Sequence, residues 1–251
     1  MCGLWLALAL WHLGYPDQAL ARVDAALERA KNSTHSANLG AALIFAAWVR
    51  LLRRETASAG EFAEAALQLN AGRGLTFHVV ISEILRGSVL VAEEHDERGL
   101  TQIRNGIAGC SATGAGVFQP WFLALLAAAY AQLSDPKAGL AALADAEIRL
   151  GQSGERWAEA EIHRLKGELL ASVGETGAKA QRSFLRSIEI ARGQQARSSE
   201  LRAATSLALL WAELGERQKA RDLLSPIFGW FTEGFDTPDL IETKALLDTL
   251  A

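Results

Sequence analysis

The sequence predicts an all-α protein, a right-handed α-α superhelix of about six helix pairs that ends in a C-terminal capping helix. Three observations predict this fold class. Small residues recur at a spacing of about 40, and each repeat contains a long apolar helical segment, a turn and an amphipathic helical segment. No useful length of chain alternates between apolar and polar residues as a strand would.

The period of about 40 residues is seen in series of residues that recur at the same position of each repeat. A first series of small residues is Ala7, Ala47, Gly87, Ala127, Gly167 and Ala208. A second series follows twelve or thirteen residues later, at Ala19, Ala59, Gly99, Gly139, Ala180 and Ala220. Antiparallel helices that pack closely need Ala or Gly where they cross, so each pair of positions predicts a helix–helix contact. The one slip of register falls in the predicted turn 174–177.

These registers divide a single domain, residues 1–251, into repeat units and a cap. The units are approximately 1–33, 34–73, 74–113, 114–153, 154–195 and 196–235, and the cap is 236–251. In each unit the first helix is long and apolar, and the second is amphipathic. Pro16 and Pro136 suit the first turn of a second helix, where a missing N–H costs nothing.

The two ends of the array carry separate predictions. At the C-terminal end, Thr237 is a candidate N-cap for a helix over 239–250, with Pro238 and Asp239 in its first turn. Its apolar face is predicted to comprise Leu240, Ala245, Leu246 and Leu247. We expect Pro226 to bend the preceding helix, and the following aromatics to pack between that bend and the cap: Phe228, Trp230, Phe231 and Phe235.

At the N-terminal end, residues 1–11 form a helix that is apolar on nearly every side. A helix of this kind is buried all round. We therefore expect self-association through residues 1–13, or an upstream repeat that covers the helix. The alternative is that the superhelix turns this helix inward and hides it.

Composition excludes several functions. The 251 residues are 50% hydrophobic and 22% charged with a net charge of −4, and no segment is a basic block, which argues against a nucleic-acid partner. No apolar run is long enough for a membrane span. Cys2 and Cys110 cannot build a disulfide framework, so we expect a reducing, cytoplasmic compartment. Glu159 and His163 share a helix face, but no second helix offers matching ligands, and we expect neither metal nor cofactor.

The last repeat unit resembles a known repeat family. A small residue, a glycine turn and the spacing A-x-x-x-Φ-x-x-A occur there as Ala208, Trp211, Gly215, Ala220 and Leu224. This pattern resembles the tetratricopeptide repeat (TPR), although that repeat is about 34 residues long. The longer period here implies longer helices.

A second resemblance covers roughly residues 75–251. The segments 118–122, 154–157, 164–170 and 229–237 are similar to the C-terminal repeat region of bacterial proteins that join a class III adenylate-cyclase-type domain to a predicted ATPase. The long units also resemble the sensor region of bacterial signal-transduction ATPases, including LuxR-type regulators. The chain has no G-x-x-x-x-G-K-[ST] phosphate loop, helix-turn-helix or cyclase domain. The resemblance therefore implies the repeat part alone, relaying a signal to such domains.

The candidate binding surface is the concave wall formed by the first helices. Inward positions change from apolar in the first four units to charged in the last two, and the tentative contact residues are Trp48, Trp121, Glu161, Arg164, Glu168 and Arg202. One interpretation is a groove with an apolar half and a polar half. The alternative is that the apolar residues are core and Glu161, Arg164 and Glu168 are an ordinary ladder of charges on one helix.

Three function classes follow. The first is a non-catalytic interaction or sensor module that binds a peptide, protein domain or effector on the concave face. The second is a structural or oligomerisation scaffold. The third is an enzyme on a helical toroid with Glu161, Glu168 or Glu159 as acid and base, which requires a carboxylate pair held at a defined separation.

Overall fold

A computed structural model describes residues 2–32, 36–174 and 177–250, and this part of the chain contains thirteen α-helices and no strand. The helices are α1 Cys2–His12, α2 Pro16–Lys31, α3 Ser36–Leu52, α4 Thr56–Asn70, α5 Thr76–Glu94, α6 Glu97–Ala112, α7 Gln119–Gln132, α8 Pro136–Ser153, α9 Glu159–Ser172, α10 Gly177–Gly193, α11 Arg197–Glu213, α12 Arg217–Phe228 and α13 Pro238–Thr249. The predicted all-α fold is confirmed. No described helix is long and apolar enough to cross a membrane.

The helices form an inner and an outer layer. Each helix packs on its neighbours in the chain, and the odd-numbered helices also pack on one another in sequence, from α1 on α3 to α11 on α13. Among the described residues, the even-numbered helices have no such second set of contacts. The odd-numbered helices therefore line the concave side, which is the arrangement of an α-α superhelix.

The small residues of the repeat lie where helices cross. A Cβ atom added to Gly87 of α5 would lie 2.6 Å from the carbonyl oxygen of Gly99 in α6. At Gly167 of α9 it would lie 2.5 Å from the ring of Phe184 in α10. Both distances are far below van der Waals contact, so these crossings require glycine. The sequence register thus marks close helix–helix approaches at these two positions.

The apolar interior is divided into two main cores. The first runs through α1 to α9, from Leu4 to Leu169. The second is formed by α10 to α13, from Ala180 to Leu250. A small third cluster of four residues (Ala160, Ile190, Ala191 and Ala196) lies where α9 meets α10 and α11.

The C-terminal cap forms as α13, with corrections of detail. Leu240, Leu246 and Leu250 are buried in the second core, whereas Ala245 is exposed. Thr237 occupies the N-cap position, but its hydroxyl donates a hydrogen bond to the carbonyl of Gly234 (2.6 Å) and does not cap the helix.

The preceding aromatics behave differently from one another. Phe231 is buried in the second core, but Phe235 is 52% exposed, because it packs edge-on against Phe228 and not beneath α13. Helix α12 continues past Pro226 to Phe228. The predicted packing of all four aromatics between the bend and the cap is therefore wrong for Phe235.

The two ends of the superhelix meet. Helix α1 contacts α11, and Leu4, Ala7, Leu8 and Trp11 are buried. The other side of α1 keeps an apolar stripe in which Leu6 is 44% exposed and Trp5 is 46% exposed, with one side of the Trp5 ring packed on the rings of Phe45 and Phe118. The inward turn expected as the alternative thus accounts for one face of α1, and the other face stays partly exposed.

Candidate functional site

The concave side of the superhelix holds a cavity of about 610 Å³ between the two main cores. It is bounded by inner helices from both parts of the molecule: α3, α5, α7 and α9 on one side, α11 and α13 on the other. Because the first unit and the cap come together, a groove that an open array would leave wide is here enclosed from several sides. A cavity of this size falls in the range of binding sites for small ligands, about 300–1,000 Å³.

One wall of the cavity is apolar. It is formed by Leu51 at the end of α3, Ala92 of α5, and Leu125 and Ala128 of α7. These side chains are all partly exposed, in contrast to the neighbouring buried Ala124 and Ala127. This wall therefore offers apolar surface that a ligand can cover.

The opposite wall is charged, and Arg164 of α9 is at its centre. The Arg164 guanidinium donates to both carboxylate oxygens of Glu161 at 2.6 and 2.9 Å, and to Glu168 at 2.5 Å. Ser206 of α11 also donates to Glu168, at 2.9 Å. The side chains of Glu161 and Arg164 are only 13% and 14% exposed, so this ion pair is largely removed from water.

A second charged group joins α11 and α13 to the N-terminal part of the chain. Arg202 donates to the carboxylate of Asp239 at 2.7 Å and to the backbone carbonyl of Leu52 at 2.5 Å. Its guanidinium also lies 4.7 Å from the ring centroid of Trp11. Arg54, in the turn after α3, donates to Glu242 at 2.6 Å. The cavity wall is thus held across the place where the two ends of the chain meet.

The Glu161–Arg164 ion pair stays ionised across ordinary pH, as the pKa values of both groups show. Burial alone would raise the pKa of Glu161, but Arg164, followed by Arg202, outweighs burial and lowers that pKa to about 2. Burial alone would lower the pKa of Arg164, but Glu161 and Glu168 outweigh it and raise that pKa. Behind them, burial and the charge of Arg202 lower the pKa of His12 to about 4, so this imidazole is neutral at pH 7.

The structure brings five of the six predicted contact residues together at this cavity. Trp121, Glu161, Arg164, Glu168 and Arg202 all line it. Of these, Trp121 is 5% exposed, so it contributes little more than an edge. Its indole N–H is buried and has no hydrogen-bond partner among the described residues.

The sixth residue, Trp48, lies elsewhere. It is fully buried in an aromatic cluster, with its ring 5.0 Å from that of Phe118, 6.0 Å from that of Trp157 and 6.3 Å from that of Trp121, centroid to centroid. Helix α3 is covered by α1 and α5 on its flanks, and this places Trp48 in the first core. The position that the repeat register assigned to the groove is therefore a packing position in this unit.

Sequence reasoning missed three charged residues of the site. Asp239 and Glu242 belong to the capping helix, to which we assigned only a covering role, and Arg54 belongs to a turn. Nothing local in the sequence indicates that residues so distant along the chain meet. Their approach depends on the curvature of the superhelix, which sets how far the cap travels back toward the first units.

No group of three or more His, Cys, Asp or Glu side chains within residues 2–32, 36–174 and 177–250 is arranged to hold a metal ion. Glu159 and His163 do lie on α9, but the nearest carboxylate oxygen to His163 Nδ1 belongs to Glu147, at 4.0 Å. Burial is the main cause that lowers the pKa of His163.

Comparison with known proteins places the fold. No family model matches the chain, and no curated protein is similar to it in sequence. A Rap protein solved in complex with Competence and Sporulation Factor superposes with a TM-score of 0.70 at 14% identity, over 99% of this chain and 73% of the Rap chain. The apo form of RapI superposes with a TM-score of 0.67 at 10% identity, over 98% of this chain and 83% of RapI.

A putative kinesin light chain of Podospora anserina with TPR-like repeats superposes with a TM-score of 0.51 at 13% identity, over 77% of this chain and 95% of that one. At these identities the likeness concerns the fold alone. Together with the layered helices, it shows that this chain is a TPR-like α-α superhelix.

Proposed function

We propose that this protein is a non-catalytic interaction and sensor module that binds a short peptide, a protein segment or a small effector in the concave cavity. The observation that carries the proposal is the cavity itself, about 610 Å³ with an apolar wall on α7 facing a charged wall on α9, α11 and α13. A ligand bound there touches both parts of the chain. In a reducing cytoplasm, such a module would relay its bound state to attached cyclase-type or ATPase domains.

The charges of the cavity favour a ligand that carries a positive group. Four carboxylates line it, those of Glu161, Glu168, Asp239 and Glu242, against three guanidinium groups, those of Arg54, Arg164 and Arg202. All three guanidinium groups are already in ion pairs. An anionic ligand would have to break one of these ion pairs to reach a guanidinium group. A cationic ligand, in contrast, is attracted by the one carboxylate charge in excess.

The chemistry of the carboxylates supports binding over catalysis. A general acid needs a pKa near the working pH, but the pKa of Glu161 is about 2. Arg164 lies between Glu161 and Glu168 and engages both of them. Such a pair serves as a fixed recognition surface and not as an acid–base pair.

The fold comparison supports the proposal by analogy. A Rap protein of the same fold was solved with Competence and Sporulation Factor bound, so this architecture accommodates a bound factor in at least one protein. Which surface of the present chain receives a ligand is inferred from its own cavity.

A thermal-shift screen with a defined library of short peptides tests the proposed function. We expect peptides that combine an arginine or lysine with a bulky apolar residue to raise the unfolding temperature, since ligands that bind only the folded state stabilise it. The matched control library replaces each basic residue with glutamate. Equal or absent shifts in both libraries would count against the site.

The outer face of α1 favours a second role as an oligomerisation scaffold. We propose self-association through residues 1–13, with Trp5, Leu6 and Leu13 meeting the same residues of a second copy, since this stripe carries no charge that would repel itself. The free Cys2 is exposed at the start of the same helix.

Light scattering on the wild type and on Trp5→Glu and Leu13→Glu variants measures this association. We expect the wild type to dimerise and both variants to be monomeric, with an Ala25→Glu change on the exposed side of α2 leaving the dimer intact. A wild type that is monomeric at every concentration would refute the scaffold role.

A further inference from the structure

The cavity lies between the first and second cores, and these two parts of the molecule are joined on both sides of it. The contacts that join them differ between the two sides. On one side α9 and α10 pack tightly, with Gly167 against the ring of Phe184. The small apolar cluster at the same junction includes Ala160 and Ile190, and Ser187 donates to the carbonyl of Ala160 at 2.5 Å. This side is a closely packed helix–helix junction between the first and second cores.

On the other side the two parts meet along what we call the end seam. It joins Trp11, Asp17, Gln18, Leu52 and Arg54 to Ser198, Arg202, Glu233, Gly234, Asp239 and Glu242. The contacts across it are mostly hydrogen bonds and ion pairs. The seam therefore differs in kind from the α9–α10 junction.

Glu233 makes the densest set of contacts in the end seam. Its carboxylate accepts hydrogen bonds from the backbone N–H groups of Asp17 and Gln18, at 2.9 and 3.0 Å, and from the Gln18 side chain at 2.8 Å. In return, Asp17 accepts from the backbone N–H of Gly234 at 2.9 Å. Because α2 begins at Pro16, Glu233 also lies at the positive end of the α2 dipole.

The remaining contacts of the end seam lie closer to the cavity. Ser198 donates to the carbonyl of Trp11 at 2.5 Å, and Arg202 donates to that of Leu52. Apolar contacts also cross the end seam. The ring of Tyr15 lies with its centroid 5.6 Å from that of Trp230, Trp230 packs close to Gly14, Pro16 packs close to Gly234, and Trp11 lies under the Arg202 guanidinium.

We propose that the end seam is an electrostatic latch, and that the body formed by α10–α13 swings away from α1–α9 about the α9–α10 junction. Polar groups at a parted seam regain hydrogen bonds with water, so the polar part of the seam costs less free energy to open than an apolar contact of the same area. Parting the packed junction would expose apolar surface that water does not compensate. Hinged motion about one packed edge is a common way for a protein to open a cleft.

This motion regulates the cavity, and that consequence rests on the proposed binding function. Arg202 and Asp239 move with the second body, whereas Leu125 and Ala128 stay with the first. A ligand that contacts both walls favours the closed form, because only that form offers both sets of contacts. Opening of the latch is measurable without any ligand, so failure of the latch and failure of the binding function are separable results.

Distance measurements between two spin labels test the latch. In a Cys2→Ser background, labels at Ala25→Cys of α2 and Lys244→Cys of α13 span the end seam, and both positions are exposed. A control pair at Ala25→Cys and Glu61→Cys lies within the first body, on α2 and α4. Labelled protein is diluted with unlabelled protein so that distances between copies do not contribute.

Two perturbations weaken the latch. One is the Glu233→Ala change, matched by Glu189→Ala, which removes an exposed carboxylate from α10 outside the seam. The other is 1 M NaCl, which shortens the screening length to about 3 Å. We expect both the Glu233→Ala change and high salt to add a longer population to the seam distance, with the control pair and the Glu189→Ala protein unchanged and the helical circular dichroism preserved.

Two results would overturn the proposal. An unchanged seam distance under both perturbations would show that the two bodies form one rigid unit. A change in the control pair together with the seam pair would show that the seam stabilises the whole fold and is no separable latch. The salt arm needs no substitution, so it gives an answer even if the Glu233→Ala protein does not fold.

Discussion

At the scale of single residues, the site is a set of charges buried together. Glu161, Arg164 and Arg202 were identified from the sequence because they occupy inward positions of repeat units where apolar residues are usual. The partner of Arg202 could not be identified from the sequence, since Asp239 reaches it only through the closure of the superhelix. Trp48 fails as a contact residue for a different reason, because the neighbouring helices bury it.

The buried charges predict a stability that falls in acid. The pKa of Glu161 is about 2 in the folded chain against 4.5 as the reference, so its contribution is complete above pH 4.5 and is lost as the pH falls toward 2. The difference corresponds to at most about 3 kcal/mol. We expect Glu161→Gln to flatten urea-derived stability between pH 4.5 and 2 relative to wild type, with Glu189→Gln, at an exposed site, as the control.

The lowered pKa of His12 predicts a second pH range in which stability falls on acidification. Its pKa falls from 6.5 to about 4 in the folded chain, so the folded state binds its proton more weakly than the unfolded state does. Its contribution to stability is complete above pH 6.5 and is lost between pH 6.5 and 4. Burial also lowers the pKa values of His78 and His163, so a His12→Gln change should reduce the slope in this window without abolishing it. An unchanged slope in urea unfolding would contradict the burial of His12.

At the scale of helices, the sequence predicts most of the architecture. The recurring small residues mark the crossings, and four of the five prolines mark helix starts, whereas Pro226 lies inside α12. The detail at the cap is less predictable. Thr237 has the residue type of an N-cap, yet its buried hydroxyl donates a hydrogen bond to the carbonyl of Gly234 and does not accept one from the first turn of α13.

The helix crossings predict opposite effects for two glycine substitutions. At Gly167→Ala the new methyl group would meet Phe184, and overpacking of this kind costs about 1–3 kcal/mol. Gly151, in α8, has no atom within 4 Å of an added Cβ, so Gly151→Ala should stabilise by up to about 1 kcal/mol through helix propensity. Urea unfolding of both variants measures the difference. Equal effects would contradict the assignment of the repeat glycines to close crossings.

The cap predicts a loss of stability on truncation. Deleting residues 236–251 removes Leu240, Leu246 and Leu250 from the second core and uncovers Phe231. We expect lower solubility and earlier thermal unfolding than for the full chain, since a terminal repeat requires a cover. A truncated chain of unchanged stability would show that α13 has no capping role.

At the scale of the whole molecule, the two ends of the superhelix meet, and this encloses the concave groove as a cavity. The sequence shows the units and the change from apolar to charged inner positions, but the curvature emerges only from the summed geometry of all the units. Six helix pairs and a cap bring Arg202 of α11 to the carbonyl of Leu52 at the end of α3, and this contact gives the cavity its second wall. That cavity is therefore the proposed binding site.

Isothermal titration tests most directly whether the concave cavity is the binding site. A peptide selected by the thermal-shift screen is titrated into the wild type and two variants. Ala128→Trp places an indole in the cavity from its apolar wall, and Ala25→Trp places the same indole on the exposed side of α2. We predict that the Ala25→Trp protein binds the peptide with wild-type affinity. The affinity of the Ala128→Trp protein should fall at least tenfold, which is about 1.4 kcal/mol. Equal affinity of all three proteins, with the helical content of Ala128→Trp intact, would contradict the concave cavity as the binding site.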